Sequence, residues 1–226
     1  MIELKQVTKT YSRGRASRQR TVRAVEQVNV KIEAGEFVVI TGRSGCGKTT
    51  LLNLIAGLAR PDSGKVFFEG ADIWAMKDEE ISALRNRKMG LIFQVSSLMP
   101  SLNVLDNVIV PTLFAPKETR RDGYPRGREA LCSVGLSGLS EAFPRHLSAG
   151  EEKRVVIARA IINRPPVLLA DEPTANLDEL TEEEVMTLLQ RIHAGGTTIL
   201  LVTHHPGLIG YGTRHMTMSD GKLGGS

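Results

Sequence analysis

The sequence lacks any apolar run of the roughly 18–20 residues that a bilayer-spanning helix needs. Its most apolar stretches, Phe37–Ile40, Val167–Ala170 and Thr198–Thr203, are short and read as buried parallel strands. The N-terminal Met1-Ile2-Glu3-Leu4-Lys5 alternates apolar and polar residues and lacks the apolar core of a secretory signal. From both absences the chain is expected to be cytoplasmic, with any membrane role left to a partner. Cysteine is also sparse. Cys46 and Cys132 are the only two, and neither stands in metal-ligand spacing, which argues against a disulfide framework. No internal repeat or low-complexity tract is present.

Strong charge of one sign is missing as well. The net charge of +4 does not by itself call for nucleic acid. One local excess stands out: Arg13, Arg15, Arg18, Arg20 and Arg23 crowd one loop with no acid between them. A solvated loop accounts for such a run; anionic lipid or a partner's acidic face are the alternatives. No aromatic residue interleaves the run for base stacking, which argues against nucleic acid. At 226 residues, 41% hydrophobic and 24% charged, the chain suits one soluble domain or two intimately packed lobes.

The periodicities present are those of an α/β chain. Residues 2–8 and 21–32 alternate like strands. Phe37–Thr41 is a buried strand, followed by a helix over 48–57. A strand at Lys65–Glu69 follows the Pro61-Asp62-Ser63-Gly64 turn, and another at Met89–Phe93 ends at Gln94. Helical patterns dominate 95–165, at 104–114, 118–135 and 149–163. The last carries a capping box, with Ser148 as N-cap and Glu151 three residues on. A second box, Thr181 with Glu184, is expected to open a helix over 182–194. Val167–Ala170 and Thr198–Thr203 return to the strand pattern, and Met216–Met218 with Lys222-Leu223 suggest a final hairpin.

Chemistry concentrates in Gly42-Arg43-Ser44-Gly45-Cys46-Gly47-Lys48-Thr49. Strand before and helix after are the context a phosphate-binding loop requires. Its glycines let backbone N–H groups turn toward phosphate oxygens, and the helix start adds its positive dipole end. Lys48 is expected to reach the β- and γ-phosphates and the Thr49 hydroxyl to bind Mg²⁺. A second feature is Asp171-Glu172, which ends the apolar run Val167–Ala170. Alone, an Asp-Glu pair reads as a solvated loop. At the carboxyl end of a buried strand, Asp171 is placed to hold Mg²⁺ and Glu172 to orient or deprotonate an attacking water.

The ordered set Gly42–Thr49, Gln94, Leu147-Ser148-Ala149-Gly150-Glu151, Asp171-Glu172, Asn176-Leu177-Asp178 and His204 closely resembles the ATP-binding cassette family. The resemblance covers essentially the whole chain. Residues 84–90 and 171–178 further resemble its lipoprotein-release and macrolide-export branch. The resemblance implies a P-loop α/β fold with a mixed or parallel sheet core, an antiparallel β portion and an inserted helical lobe. The core then comprises 1–94 and 166–226, and the lobe 95–165. It implies nucleotide contacts from Gly42, Ser44, Gly45, Cys46, Gly47, Lys48, Thr49 and Thr50, with Tyr11 stacked on adenine. Gln94 senses Mg²⁺ and the attacking water, Asp178 lines a dimer seam, and His204 is a switch near the γ-phosphate. Ser148 and Gly150 close over the γ-phosphate held by a second copy. A capped helix start presents donors and a positive dipole end to such an anion. Two positions depart from the family's usual motif: Ala149 where glycine is common, and Glu151 where glutamine is common.

The implied activity is ATP hydrolysis by a homodimer that drives a separate transmembrane permease, for export or for extraction of a substrate such as a lipoprotein. The chain would sit on the cytoplasmic face of the membrane through that partner. A cell-division cassette that signals without moving cargo, or a soluble cassette for repair or translation, is the rival class. Repair members place a coiled coil or zinc modules between the phosphate loop and the pentapeptide, and translation factors carry paired cassettes; this chain has none of these. Phe93, Leu98, Met99 and Leu102 are expected to be mostly core, with a subset forming a groove for a permease helix. Trp74 reads as a packing anchor or an interface residue.

Overall fold

The computed structural model describes residues 1–13, 20–95, 97–114 and 122–225. They form two compact units, Met1–Ser82 with Leu200–Ser226, and Ala83–Ile199. The fold is α/β, with an antiparallel sheet and a mixed sheet.

In the first unit, β1 (Ile2–Arg13) pairs antiparallel with β2 (Arg20–Ile32) on one side and with β4 (Ser63–Phe68) on the other, and β5 (Ala71–Asp72) pairs antiparallel with β4. Strict alternation fails here for a reason. The buried residues of β1 switch from Ile2 and Leu4 to Val7, and those of β2 from Val25 to Val28. Gln6 and Gln27 sit at these switches with φ of 51° and 47°, where the register also shifts. An extra residue in a strand re-aims every side chain beyond it. The pairing continues to Arg13 opposite Arg20. Arg13, Arg20 and Arg23 therefore belong to strands rather than to a loop, a correction to the sequence reading. Arg23 also has an acidic partner, Glu26 Oε1 at 2.6 Å. Arg15 and Arg18 lie outside the described residues. Trp74 packs: Asp72 caps its turn, accepting from Trp74 N at 3.1 Å, and the Arg60 guanidinium lies 6.0 Å from its ring centroid.

The mixed sheet of this unit runs β10 (Lys222–Gly224), β9 (Arg214–Ser219), β3 (Phe37–Thr41), β8 (Thr198–Thr203). β3 and β9 are parallel, β9 and β10 antiparallel. β8 passes between the units after Ile199. Every residue of β3 and β8 is buried, which is why both read as continuous apolar runs. α1 (Lys48–Ile55) follows β3.

In the second unit, β6 (Met89–Ile92) pairs parallel with β7 (Val167–Asp171), and Thr198 N donates to Pro166 O at 2.9 Å at the start of β8. Among the described residues between β6 and β7 the regular elements are all helical: α3 (Val104–Leu113), α4 (Gly123–Ser133), α5 (Ala149–Ile161) and short 3₁₀ turns. Residues 118–121 of the expected helix lie outside the described residues. Val104, Val108, Leu131, Val155 and Ile157 form the core of these helices. At Gly90 an added Cβ would sit 2.5 Å from Ala160 O, so β6 and α5 pack backbone to backbone. α6 (Glu179–Ala194) starts earlier than expected. Its N-cap is Asp178, which accepts from Thr181 N at 3.0 Å and from the Thr181 hydroxyl at 2.8 Å. Thr181 is thus the third residue of the helix and no cap, and Glu184 pairs instead with Arg154 at 2.9 Å. α2 (Asp78–Lys88) has only Ile81 buried. Its acids lie in the first turn and its bases in the last, as the helix dipole favours.

Candidate functional site

The first unit holds the candidate phosphate loop. β3 delivers the chain to Gly42, and α1 opens at Lys48 with Gly47 as its N-cap at φ 113°. A Cβ at Gly47 would overlap the Ala24 carbonyl oxygen, and one at Gly42 would overlap that of Met218. Both glycines are therefore pressed against neighbouring backbone. Gly45 also has positive φ, 79°, but no atom lies within 4 Å of its Cβ position, so the crown of the loop faces open space. Cys46 N donates to Arg43 O at 3.2 Å and Gly221 N to Cys46 O at 3.0 Å, pinning the loop's base. A cavity of about 370 Å³ is lined by Gly42–Cys46 and Thr217–Asp220. Lys48 is buried, its Nζ donating to Gly42 O at 2.8 Å and Arg43 O at 3.2 Å. Thr49 is exposed and Thr50 half-buried, in the first turn of α1, where backbone N–H groups lack intrahelical partners.

Three more residues of this unit belong to the expected set or support it. Tyr11 stands far along β1, 42% exposed, with Lys9 Nζ 5.5 Å from its ring centroid. His204 is exposed directly after β8, whereas His205 opens a 3₁₀ turn and its backbone N donates to Thr203 Oγ1 at 3.0 Å. His215, which no sequence motif singles out, places Nε2 2.8 Å from Thr41 Oγ1. It braces the last residue before the phosphate loop.

The second unit carries the acids and the pentapeptide. Asp171 and Glu172 are both buried at the end of β7. Glu172 has φ of 49°, a left-handed conformation that costs a non-glycine residue about 1–3 kcal/mol and clusters at functional sites. The loop beyond it is wound tightly: Ala175 N donates to Glu172 O at 3.2 Å, and the buried Thr174 hydroxyl donates to Glu182 at 2.8 Å.

Ser148 is the N-cap of α5 and forms a closed ring with Glu151. Glu151 N donates to Ser148 Oγ at 3.3 Å, while Glu151 Oε2 accepts from Ser148 N and from the Ser148 hydroxyl, each at 2.8 Å. The Ser148 backbone N–H, then its hydroxyl, hold the Glu151 carboxyl below its usual range. Gly150 is buried, and its Cβ position lies 2.5 Å from Thr181 Cγ2. Thr181 is bonded in turn to Asp178, whose carboxyl the Thr181 N–H and hydroxyl pull down. Ser148, Gly150 and Asp178 thus share one packed corner.

Gln94 is exposed, and its backbone carbonyl accepts from Lys153 Nζ of α5 at 3.0 Å. Arg159, on the same helix, donates to Ser97 O at 2.8 Å and Ser97 Oγ at 2.6 Å. Burial pushes both cations down in pKa. Asn107, fully buried, uses its side-chain oxygen on Met99 N at 2.7 Å and its amide on the carbonyls of Met99, Leu102 and Asn103. These polar bonds of Asn107 hold the segment together with the burial of Leu98. Of Phe93, Leu98, Met99 and Leu102, only Leu98 is buried, which corrects the expectation that most are core. Phe93, Val95, Met99 and Phe114 are exposed instead.

Thr49 of the first unit offers a hydroxyl oxygen, and Asp171 and Gln94 of the second offer a carboxylate and an amide oxygen, donor types that a hard cation takes. Among the described residues no cluster of three His, Cys, Asp or Glu could hold a metal unaided. No helix of the described residues is long and apolar enough to cross a membrane.

A model of the ABC transporter family matches residues 25–175. The lipoprotein-releasing system ATP-binding protein LolD of Syntrophotalea carbinolica is 40% identical over 226 residues, covering all of this chain and 97% of that one. The cell division ATP-binding protein FtsE of Escherichia coli K12 is 42% identical over 226 residues, covering 100% and 98%. Among solved structures, the dimeric post-hydrolysis state of the ATP-binding cassette MJ0796 bound to ADP and Pi is similar at TM-score 0.87 and 37% identity, over 99% of this chain and 96% of that one.

Proposed function

Since the chain belongs to the ABC transporter family and is one of its ATPases, we propose that two copies close head to tail on two ATP molecules and drive a separate transmembrane permease. The observation that carries this is the dimeric cassette bound to ADP and Pi, matched over nearly the whole chain. In each site Lys48 and the N–H groups of residues 42–50 bind the phosphates of one nucleotide, and Tyr11 stacks on its base. Thr49, Asp171 and Gln94 would hold Mg²⁺, which when bound would supply charge neutralisation to the phosphates. Glu172 orients the attacking water and takes its proton, with His204 beside the γ-phosphate. Ser148 and Gly150 of the second copy cap that phosphate, and Asp178 lines the seam. Chemistry of this kind is positioning plus charge stabilisation.

Residues 95–165 act as the lobe that transmits closure. The exposed Phe93, Val95, Met99 and Phe114 receive a helix of the permease, which keeps the chain at the cytoplasmic face of the membrane. Export or extraction of a substrate such as a lipoprotein agrees with the LolD relative. A second reading, signalling across the membrane without cargo, is favoured by the equally extensive likeness to FtsE.

Glu172→Gln tests the core of this reading. Loss of a general base costs about 10²–10⁴-fold in rate, while ATP binding should persist and dimers should accumulate. Phosphate release at the parental rate, or no ATP-dependent dimer by light scattering, overturns it. Pull-down in mild detergent tests the permease: recovery of a membrane protein supports it, and recovery of soluble partners alone removes it.

A further inference from the structure

A hydroxyl has one proton to donate, and in this structure the proton of Ser148 is committed. A carboxylate is acceptor-only, so the 2.8 Å contact between Ser148 Oγ and Glu151 Oε2 has the serine as donor. The bond is one side of a ring. The same Oε2 accepts Ser148 N at 2.8 Å, and the same Oγ accepts Glu151 N at 3.3 Å. A phosphate oxygen is acceptor-only too. Ser148 cannot give its single proton to Glu151 and to a phosphate at once.

We propose that Glu151 is a positioning residue that latches Ser148: it holds the hydroxyl proton until the γ-phosphate of a second copy displaces it, and so sets the ATP concentration at which two copies close. The inference rests on the head-to-tail clamp proposed above. Bonds to a charged acceptor are roughly twice as strong as neutral ones, so the latch has real depth. A carboxylate beside the incoming phosphate adds like-charge repulsion. Breaking the hydroxyl bond need not unwind α5, because Ser148 N and Glu151 N remain available to the cap.

Glutamine at this position keeps the length of the side chain and an oxygen that accepts Ser148 N, while removing the charge and weakening the hold on the hydroxyl. In a Glu172→Gln background, where turnover is removed, Glu151→Gln should lower the ATP concentration for half-maximal dimerisation by about tenfold, or about 1.4 kcal/mol. Glu151→Ala should also lower it, although its melting temperature falls because the capping box is gone. A purely structural capping role predicts the opposite sign: weaker closure with a weaker cap. Light scattering against ATP concentration, with thermal melts on the same samples, decides. If the Glu172→Gln parent dimerises with ATP and Glu151→Gln needs as much ATP or more, the latch is overturned and the clamp stands. If the parent does not dimerise at all, clamp and latch fall together.

Discussion

Lys153 Nζ donates to the backbone carbonyl of Gln94 at 3.0 Å, so the helix that begins at Ser148 grips the strand end proposed to reach Mg²⁺. The cation is buried and its pKa is lowered by desolvation. A buried charge held for stability is a poor investment, since an apolar residue of similar volume is often as good or better. Positioning of Gln94 is a better reason for it. Lys153→Met keeps the stem and removes the donor. Hydrolysis is expected to fall about tenfold, a loss matching one charged hydrogen bond, with ATP binding and melting temperature held. A lower melting temperature with unchanged turnover would assign the bond to stability alone.

The two glycines of the phosphate loop with positive φ differ in what an alanine would meet. Gly47, at φ 113°, has the Ala24 carbonyl in the place of a Cβ, whereas Gly45, at φ 79°, has nothing within 4 Å. Gly45→Ala should therefore cost only the left-handed conformation, about 1–2 kcal/mol, and leave a folded loop. Gly47→Ala must also move backbone. It should abolish nucleotide binding and destabilise the protein by more than Gly45→Ala. Urea melts paired with titration of a fluorescent ATP analogue give both numbers for each variant.

Two N-terminal caps make stability depend on pH in a stated direction. Glu151 is lowered from an ordinary 4.5 by Ser148, and Asp178 from 3.8 by Thr181. Each folded pKa lies below its unfolded value. Each cap's contribution is therefore complete above the unfolded value and is lost as pH falls through the folded one. The double variant Glu151→Gln with Asp178→Asn removes both titrations. Its stability should fall less steeply than that of the parent below about pH 4.5 in urea melts. Equal slopes would mean that other carboxyls govern the acid limb.

The parts of this molecule that were legible in the sequence are those in which one residue's chemistry decides the geometry. β3, β7 and β8 announce themselves because burial on both faces favours near-continuous apolar runs, with their buried polar residues, Thr41, Asp171, Thr198 and Thr203, confined to the strand ends. The Ser148–Glu151 box is local and self-sufficient. The phosphate loop is written in glycines: neighbouring backbone leaves no room for a Cβ at Gly42 and Gly47, and Gly45 takes a positive φ. Other features depend on distant contacts. α2 gave no apolar stripe because only Ile81 is buried. Thr181 looked like a cap, but the Asp178 carboxylate three residues earlier takes its N–H and hydroxyl. The grip of Lys153 and Arg159 on residues 94–97 joins positions about sixty apart in sequence, and no local pattern encodes it. The same holds for His215 on Thr41. The Gln6 and Gln27 bulges break an alternation that a period-two reading assumes throughout.

A head-to-tail pair makes a prediction that no other arrangement shares. Each of its sites takes a phosphate loop from one copy and a Ser148 from the other. Lys48→Ala spoils the loop, and Ser148→Arg puts a bulky side chain at the mouth of α5 while leaving the loop of its own copy intact. Neither variant alone has a complete site, and Ser148→Arg should still bind ATP as a monomer. Mixed, the two can form a dimer with one spoiled site and one intact site, built from the Ser148→Arg copy's loop and the Lys48→Ala copy's serine. Phosphate release should then recover to at most about a quarter of the parental rate, since half of random dimers are mixed and each has one working site. If each chain hydrolysed ATP with its own serine, or if copies met through like surfaces that leave each site within one chain, mixing would recover nothing.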